Sequence, residues 1–121
     1  MSVPPFRATV AEVGRHVGLV SISGELDLYV ESELSRALYE AEGLDVQTVA
    51  VDLSGISFID STACGILVGA ARRLRESGRE LVLVCNDPRT VDVFDLTGIT
   101  RVIQFFPTLH EALQELLVQP V

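Results

Sequence analysis

The chain has 121 residues, 48% of them hydrophobic, and a formal net charge of −8. That length suits one compact domain able to build its own core, and the composition is that of a globular chain, not a disordered one. The acidic balance argues against nucleic acid, whose phosphates attract clustered positive charge, so no nucleic-acid partner is expected.

All nine basic residues are arginine, which removes a P-loop lysine and Schiff-base chemistry. The apolar runs are shorter than the roughly 20 residues that span a bilayer, so no direct membrane insertion is expected. The opening Met1-Ser2-Val3-Pro4-Pro5 places no basic region before an apolar stretch, and a cytoplasmic protein is the expectation. Cys64 and Cys85 have no ligand-like spacing with His16 or His110, so both are read as free, reduced and buried. Neither a metal nor a cofactor is expected.

In chain order, 6–13 and 16–23 are β-favouring segments parted by Gly14-Arg15, the pattern of a hairpin. Gly24-Glu25-Leu26-Asp27 ends the second strand. Val30, Leu34, Ala37, Leu38 and Ala41 then recur at helical spacing, with Gly43 as the stop. A third strand over 46–53 is apolar enough to be central. A short loop separates it from a helix that starts at Ser61 and ends near Ser77-Gly78. In that helix Gly65 and Gly69 lie on one face and predict close packing against a neighbour. The arginines at 72, 73, 75 and 79 sit where they complement the helix dipole.

Residues 80–85 form another strand. Asp87 caps a short helix with Pro88 at its first position, and that helix stops at Gly98. A last strand covers 102–105, and Thr108 with Glu111 predicts a capping box for the final helix. A strand pair followed by strand–helix alternation predicts an α/β fold: a mixed sheet with an N-terminal hairpin and about four helices packed against it. One domain over 1–121 is expected, with an ordered core of roughly 6–118.

The chemistry concentrates at Asp60-Ser61-Thr62, between an apolar strand and a hydrophobic helix. A helix N-terminus leaves about four N–H groups unpartnered, and a serine hydroxyl there satisfies one of them, so Ser61 reads first as a helix cap. The same position tolerates a phosphate, since unpaired N–H groups and the dipole both favour an anion. A phosphate adds about −1.5 to −2 charges beside Asp60, enough to turn away a partner surface matched to the neutral hydroxyl.

The stretch Val51-Asp52-Leu53-Ser54-Gly55-Ile56-Ser57-Phe58-Ile59-Asp60-Ser61-Thr62, continuing through Ala63-Cys64-Gly65-Ile66-Leu67-Val68-Gly69, resembles the signature of the STAS domain, the fold of bacterial anti-sigma-factor antagonists. Gly24-Glu25-Leu26-Asp27 and Phe94-Asp95-Leu96-Thr97-Gly98 also match the family, and the resemblance covers nearly the whole chain. It implies a protein that catalyses nothing itself. Ser61, with Thr62 as a second hydroxyl, would be phosphorylated by a serine-kinase anti-sigma factor and restored by a metal-dependent serine phosphatase. It implies partner switching in stress-response or sporulation transcription, with Glu25, Asp27, Leu28, Asp60, Ser61, Thr62 and Cys64 at the partner surface. Many family members have Gly-Leu where this chain has Ala63-Cys64, a difference that bears on partner choice. A second reading is a STAS regulatory subunit of a lipid-transport ABC complex. A serine hydrolase is disfavoured, because no Gly-x-Ser-x-Gly elbow surrounds Ser61.

Overall fold

A computed structural model describes residues 5–118; the opening segment read above as lacking a leader begins outside the described residues, as do 119–121 of the expected domain. The elements are β1 (Arg7–Val13), β2 (Val17–Leu26), a 3₁₀ turn (Leu28–Val30), α1 (Glu31–Glu42), β3 (Thr48–Ile59), α2 (Ser61–Glu76), β4 (Glu80–Val84), α3 (Pro88–Thr97), a second 3₁₀ turn (Ile99–Arg101), β5 (Gln104–Phe106) and α4 (Leu109–Leu116). One five-stranded sheet runs β1-β2-β3-β4-β5, with β1 antiparallel to β2 and the other neighbours parallel. The expected α/β mixed sheet with its hairpin and four helices is the fold observed. Gly14, at φ 62°, supplies the left-handed residue that closes the hairpin between Val13 and Val17.

Alternate strand residues face opposite sides, and here both sides are apolar in the centre. Val20, Val49, Val51, Leu53 and Leu83 face α1, α2 and α3. Val17, Ala50, Val82 and Val84 face the other way, onto Ala112 and Leu116 of α4. Phe94 of α3 is fully buried and meets Phe105 edge-on, with ring centroids 5.2 Å apart. Asp87 caps α3 as expected, accepting from Arg89 N, and Gly98 ends it at φ 77°. Thr108 caps α4 by accepting from Glu111 N at 3.2 Å.

Three expectations need correction. First, β3 does not stop at Leu53. It runs on to Ile59 because pairing with β2 resumes beyond Ser54-Gly55, at Ser23↔Gly55, Gly24↔Ile56, Glu25↔Phe58 and Leu26↔Ile59. Two register shifts, one before Ser23/Gly55 and one before Glu25/Phe58, each absorb an extra β3 residue as a bulge. Gly55 permits the first, since a Cβ there would lie 3.0 Å from Ser23 Cβ.

Second, Gly65 and Gly69 do not pack against a neighbour. A Cβ at Gly65 would meet nothing within 4 Å, and one at Gly69 only the Arg73 guanidinium at 3.4 Å. The small residues that let α2 settle on the core are Ala63, Ala70 and Ala71. Third, the arginines past α2's middle have specific partners beyond the dipole. Arg73 donates through Nε and Nη2 to both carboxylate oxygens of Glu42, at 2.7 and 2.9 Å, and lies 4.4 Å over the Tyr39 ring. Arg75 donates to Val102 O, and Arg79 to Leu44 O. The Arg73 and Arg75 bonds tie α2 to α1 and to the segment before β5, and the Arg79 bond joins the turns that follow α1 and α2.

Candidate functional site

The parallel strands β2 and β3 end side by side, and each hands over to a helical turn capped by an aspartate. At the end of β2, Asp27 is extended (φ −114°, ψ −178°), and its carboxylate accepts from Tyr29 N at 3.0 Å. At the end of β3, Asp60 has nearly the same conformation (φ −108°, ψ 174°) and accepts from Ala63 N at 2.9 Å. Asp60 N donates to Leu26 O at 3.1 Å, which locks the two corners together.

The cap of α2 is therefore Asp60, not Ser61 as expected. Serine and aspartate are comparable caps, but only the residue still in extended conformation can turn its side chain back onto the first turn. Ser61 is the first helical residue, and its side chain is exposed, as is that of Thr62. The hydroxyl at position 61 is thus spared the structural duty assigned to it. Asp60 O also accepts from Cys64 N, so part of α2's first turn is already satisfied.

The structure brings Glu25, Asp27, Asp60, Ser61 and Thr62 to this one end of the sheet. Cys64, expected with them, turns inward: it is 3% exposed and packs in the core. Burial, and next the nearby Asp60 carboxylate, push its thiol from the ordinary 9.0 up to about 11, so it stays protonated. Cys85 is also buried, and burial raises its thiol too.

Three apolar side chains are exposed at the same end: Leu28, which the resemblance already placed at the partner surface, and Tyr29 and Phe58, which were missed. Leu28 and Tyr29, in the turn that Asp27 caps, are 58% and 85% exposed, and Phe58 is 50% exposed. Phe58 stands opposite Glu25 and faces out because the second bulge shifts the register one residue earlier. A hollow of about 160 Å³ lies against it, walled by Arg89, Thr90 and Val93 of α3. The corner is thus an exposed hydroxyl among three carboxylates, bordered by uncovered apolar surface, a composition suited to a protein partner. Among the described residues, no group of three or more His, Cys, Asp or Glu is arranged to hold a metal ion, and no helix is long and apolar enough to cross a membrane.

Comparison with known proteins bears on this geometry. The family profile described as the STAS domain matches residues 8–112. The anti-sigma-B factor antagonist of Listeria monocytogenes is 32% identical over 85 residues, spanning 70% of this chain and 75% of that protein. An anti-sigma factor antagonist from Mycobacterium paratuberculosis, solved by crystallography, aligns with a TM-score of 0.87 at 26% identity, over 97% of this chain and 99% of the other. The Bacillus cell fate determinant SpoIIAA in its phosphorylated form has the same fold, with a TM-score of 0.64 at 23% identity over 90% of this chain and 98% of its own.

Proposed function

This chain belongs to the STAS domain family, and from that premise we propose that it is an anti-sigma-factor antagonist that switches partners through Ser61. Unphosphorylated, it binds an anti-sigma factor that is also a serine kinase and so frees a sigma factor. Phosphorylation of Ser61 releases that partner, and a metal-dependent serine phosphatase restores the antagonist. The chain performs no catalysis in this scheme, and its place is the cytoplasm, in a stress-response or sporulation circuit.

The observation that carries the reading is the exposed Ser61 hydroxyl at the first position of α2, beside a cap supplied by Asp60. A phosphate attached there does not remove the cap that holds the helix. It adds a dianion to a surface that already presents Glu25, Asp27 and Asp60, and a docked partner would have to bury that charge. A phosphorylated form of the Bacillus neighbour keeps the same fold, which supports modification without refolding. Thr62 is exposed as well and is the alternative acceptor.

The test is affinity purification from the source cell with wild type, Ser61→Ala and Ser61→Asp, identifying co-purifying proteins by mass spectrometry. A kinase-type anti-sigma factor is expected with wild type and Ser61→Ala and lost with Ser61→Asp. Retention by Ser61→Asp at wild-type yield refutes the charge switch. Recovery of ABC-transporter subunits with all three proteins would move the function to lipid transport.

A further inference from the structure

The two edges of the sheet differ. At one edge β5 is three residues long. At the other, β1 pairs with β2 along all seven of its residues, and among the described residues no strand pairs with its outer side. Exposed edges are usually blunted by proline, lysine or charge turned toward the neighbour's path. The β1 sequence Arg-Ala-Thr-Val-Ala-Glu-Val has no proline, and its two charges, Arg7 and Glu12, stand near its ends. On the helix side of β1, Phe6, Ala8 and Val10 belong to the core's margin yet are only partly buried. Beside them runs a groove of about 480 Å³, with Phe6, Ala8 and Ala37 along it and Glu33, Arg36 and Glu40 of α1 at its wall.

We propose that this edge and groove are a dimer interface, and that the occupant is a second copy of the chain, paired antiparallel through β1 into a ten-stranded sheet. The match lies in the spacing. α1 lies over β1 and β2, so in such a dimer the two α1 helices are separated by half a strand spacing, one spacing across the junction, and another half. With strands about 4.8 Å apart the helices lie about 9.6 Å apart, within the roughly 8–10 Å at which helices pack. Strand pairing and helix packing are then satisfied by one placement, and each α1 fills the other's groove.

A two-fold axis normal to the sheet keeps like faces together, so opposed residues share parity. Pairing β1 over its full length puts Val10 against its mate, Thr9 against Ala11 and Arg7 against Val13. Arg36 and Ala37, midway along α1, then fall near the axis. Each Arg36 is thereby brought between the mate's Glu33 and Glu40, an alternation of charge along two antiparallel helices. The dimer leaves both Ser61 corners uncovered. It directs them to opposite ends of the extended sheet, so the assembly has two independent docking sites.

Sedimentation equilibrium of the full chain, from micromolar to millimolar concentration, tests this. Wild type is expected to approach twice the monomer mass. The double variant Thr9→Lys/Ala11→Lys sets two like-charged pairs directly opposite each other across the junction and should raise the dimer Kd roughly tenfold. Arg36→Glu, on the exposed face of α1, should weaken the dimer independently of the strand. Circular dichroism distinguishes either effect from misfolding. A wild-type monomer at every concentration overturns the proposal and leaves the edge to a strand from a different protein. A dimer undiminished by both variants overturns it in favour of another surface.

Discussion

Two neighbouring residues at the end of β3, each able to cap a helix, have opposite structural weights, and exchanging each for alanine separates them. Asp60→Ala removes the acceptor for Ala63 N, a 2.9 Å bond in a partly buried corner. Loss of such a cap costs about 1 kcal/mol, with a range of roughly 0.5–2. The carboxylate's favourable position at the positive end of a 16-residue helix adds about 0.3–1 kcal/mol. Asp60→Ala should therefore destabilise by about 1.3–2 kcal/mol, whereas Ser61→Ala, which removes an exposed hydroxyl without capping duty, should stay within about 0.5 kcal/mol of wild type. Asp60→Asn keeps the acceptor and loses the charge, so it should fall between them. Urea unfolding monitored by circular dichroism measures all three, and in thermal melts of a domain of this size Asp60→Ala should lower Tm by about 5–10 °C. If Ser61→Ala proves as destabilising as Asp60→Ala, the capping roles are wrongly assigned, and with them the argument that Ser61 is free for modification.

The glycines provide a paired test. Gly65→Ala, on an exposed helical face with nothing within 4 Å, should stabilise by about 0.8–1 kcal/mol in urea melts, and a loss of stability would restore a packing role for that glycine. Gly24→Ala should do the reverse, costing about 2 kcal/mol or more, since φ is +96° and the new Cβ would lie 2.9 Å from Phe6 Cα; a neutral effect would mean that the chain at Phe6 does not hold its place across β2. The Cys64 thiol is held neutral in the folded state, up at about 11 against 9.0 when free. Its contribution to stability is therefore full below pH 9 and lost as pH rises through about 11. The urea midpoint should fall across that window and fall less in Cys64→Ala; equal slopes for the two proteins would show that the thiol is not the group responsible.

Much of the fold could be read locally. Hairpin, strand–helix alternation and the caps at Asp87-Pro88, Gly98 and Thr108 depend on residues within a few positions of one another. What escaped reading depends on partners distant in sequence. Ser54-Gly55 carries the marks of a loop, yet β2 holds it in the ladder, and only the pairing register reveals that Phe58 faces outward. The glycines of α2 show helical periodicity, but which side of a helix meets the sheet is decided by its whole apolar stripe, and Ala63, Leu67, Ala70 and Leu74 outweigh them. Asp60 and Ser61 are both good caps by type. The choice between them rests on where β3 stops, and Asp60's bond to Leu26 determines that. Asp27, by contrast, caps a turn of its own, accepting from Tyr29 N only two residues on.

The hydrogen bond from Asp60 N to Leu26 O joins residues 34 positions apart in the chain and brings the corners at Asp27 and Asp60 together. Ser61 is presented in a helical backbone whose surroundings come from the ends of β2 and β3 and the start of α2. A protein that modifies this serine must read it as a folded shape, not as a linear word. An excised peptide spanning Asp60-Ser61-Thr62 carries the letters without Glu25, Asp27 or Tyr29 beside them, and without the helix that orients the hydroxyl. Under the proposed switch, selectivity built in this way would keep the kinase off the many other serines of a cell, however similar their flanking residues.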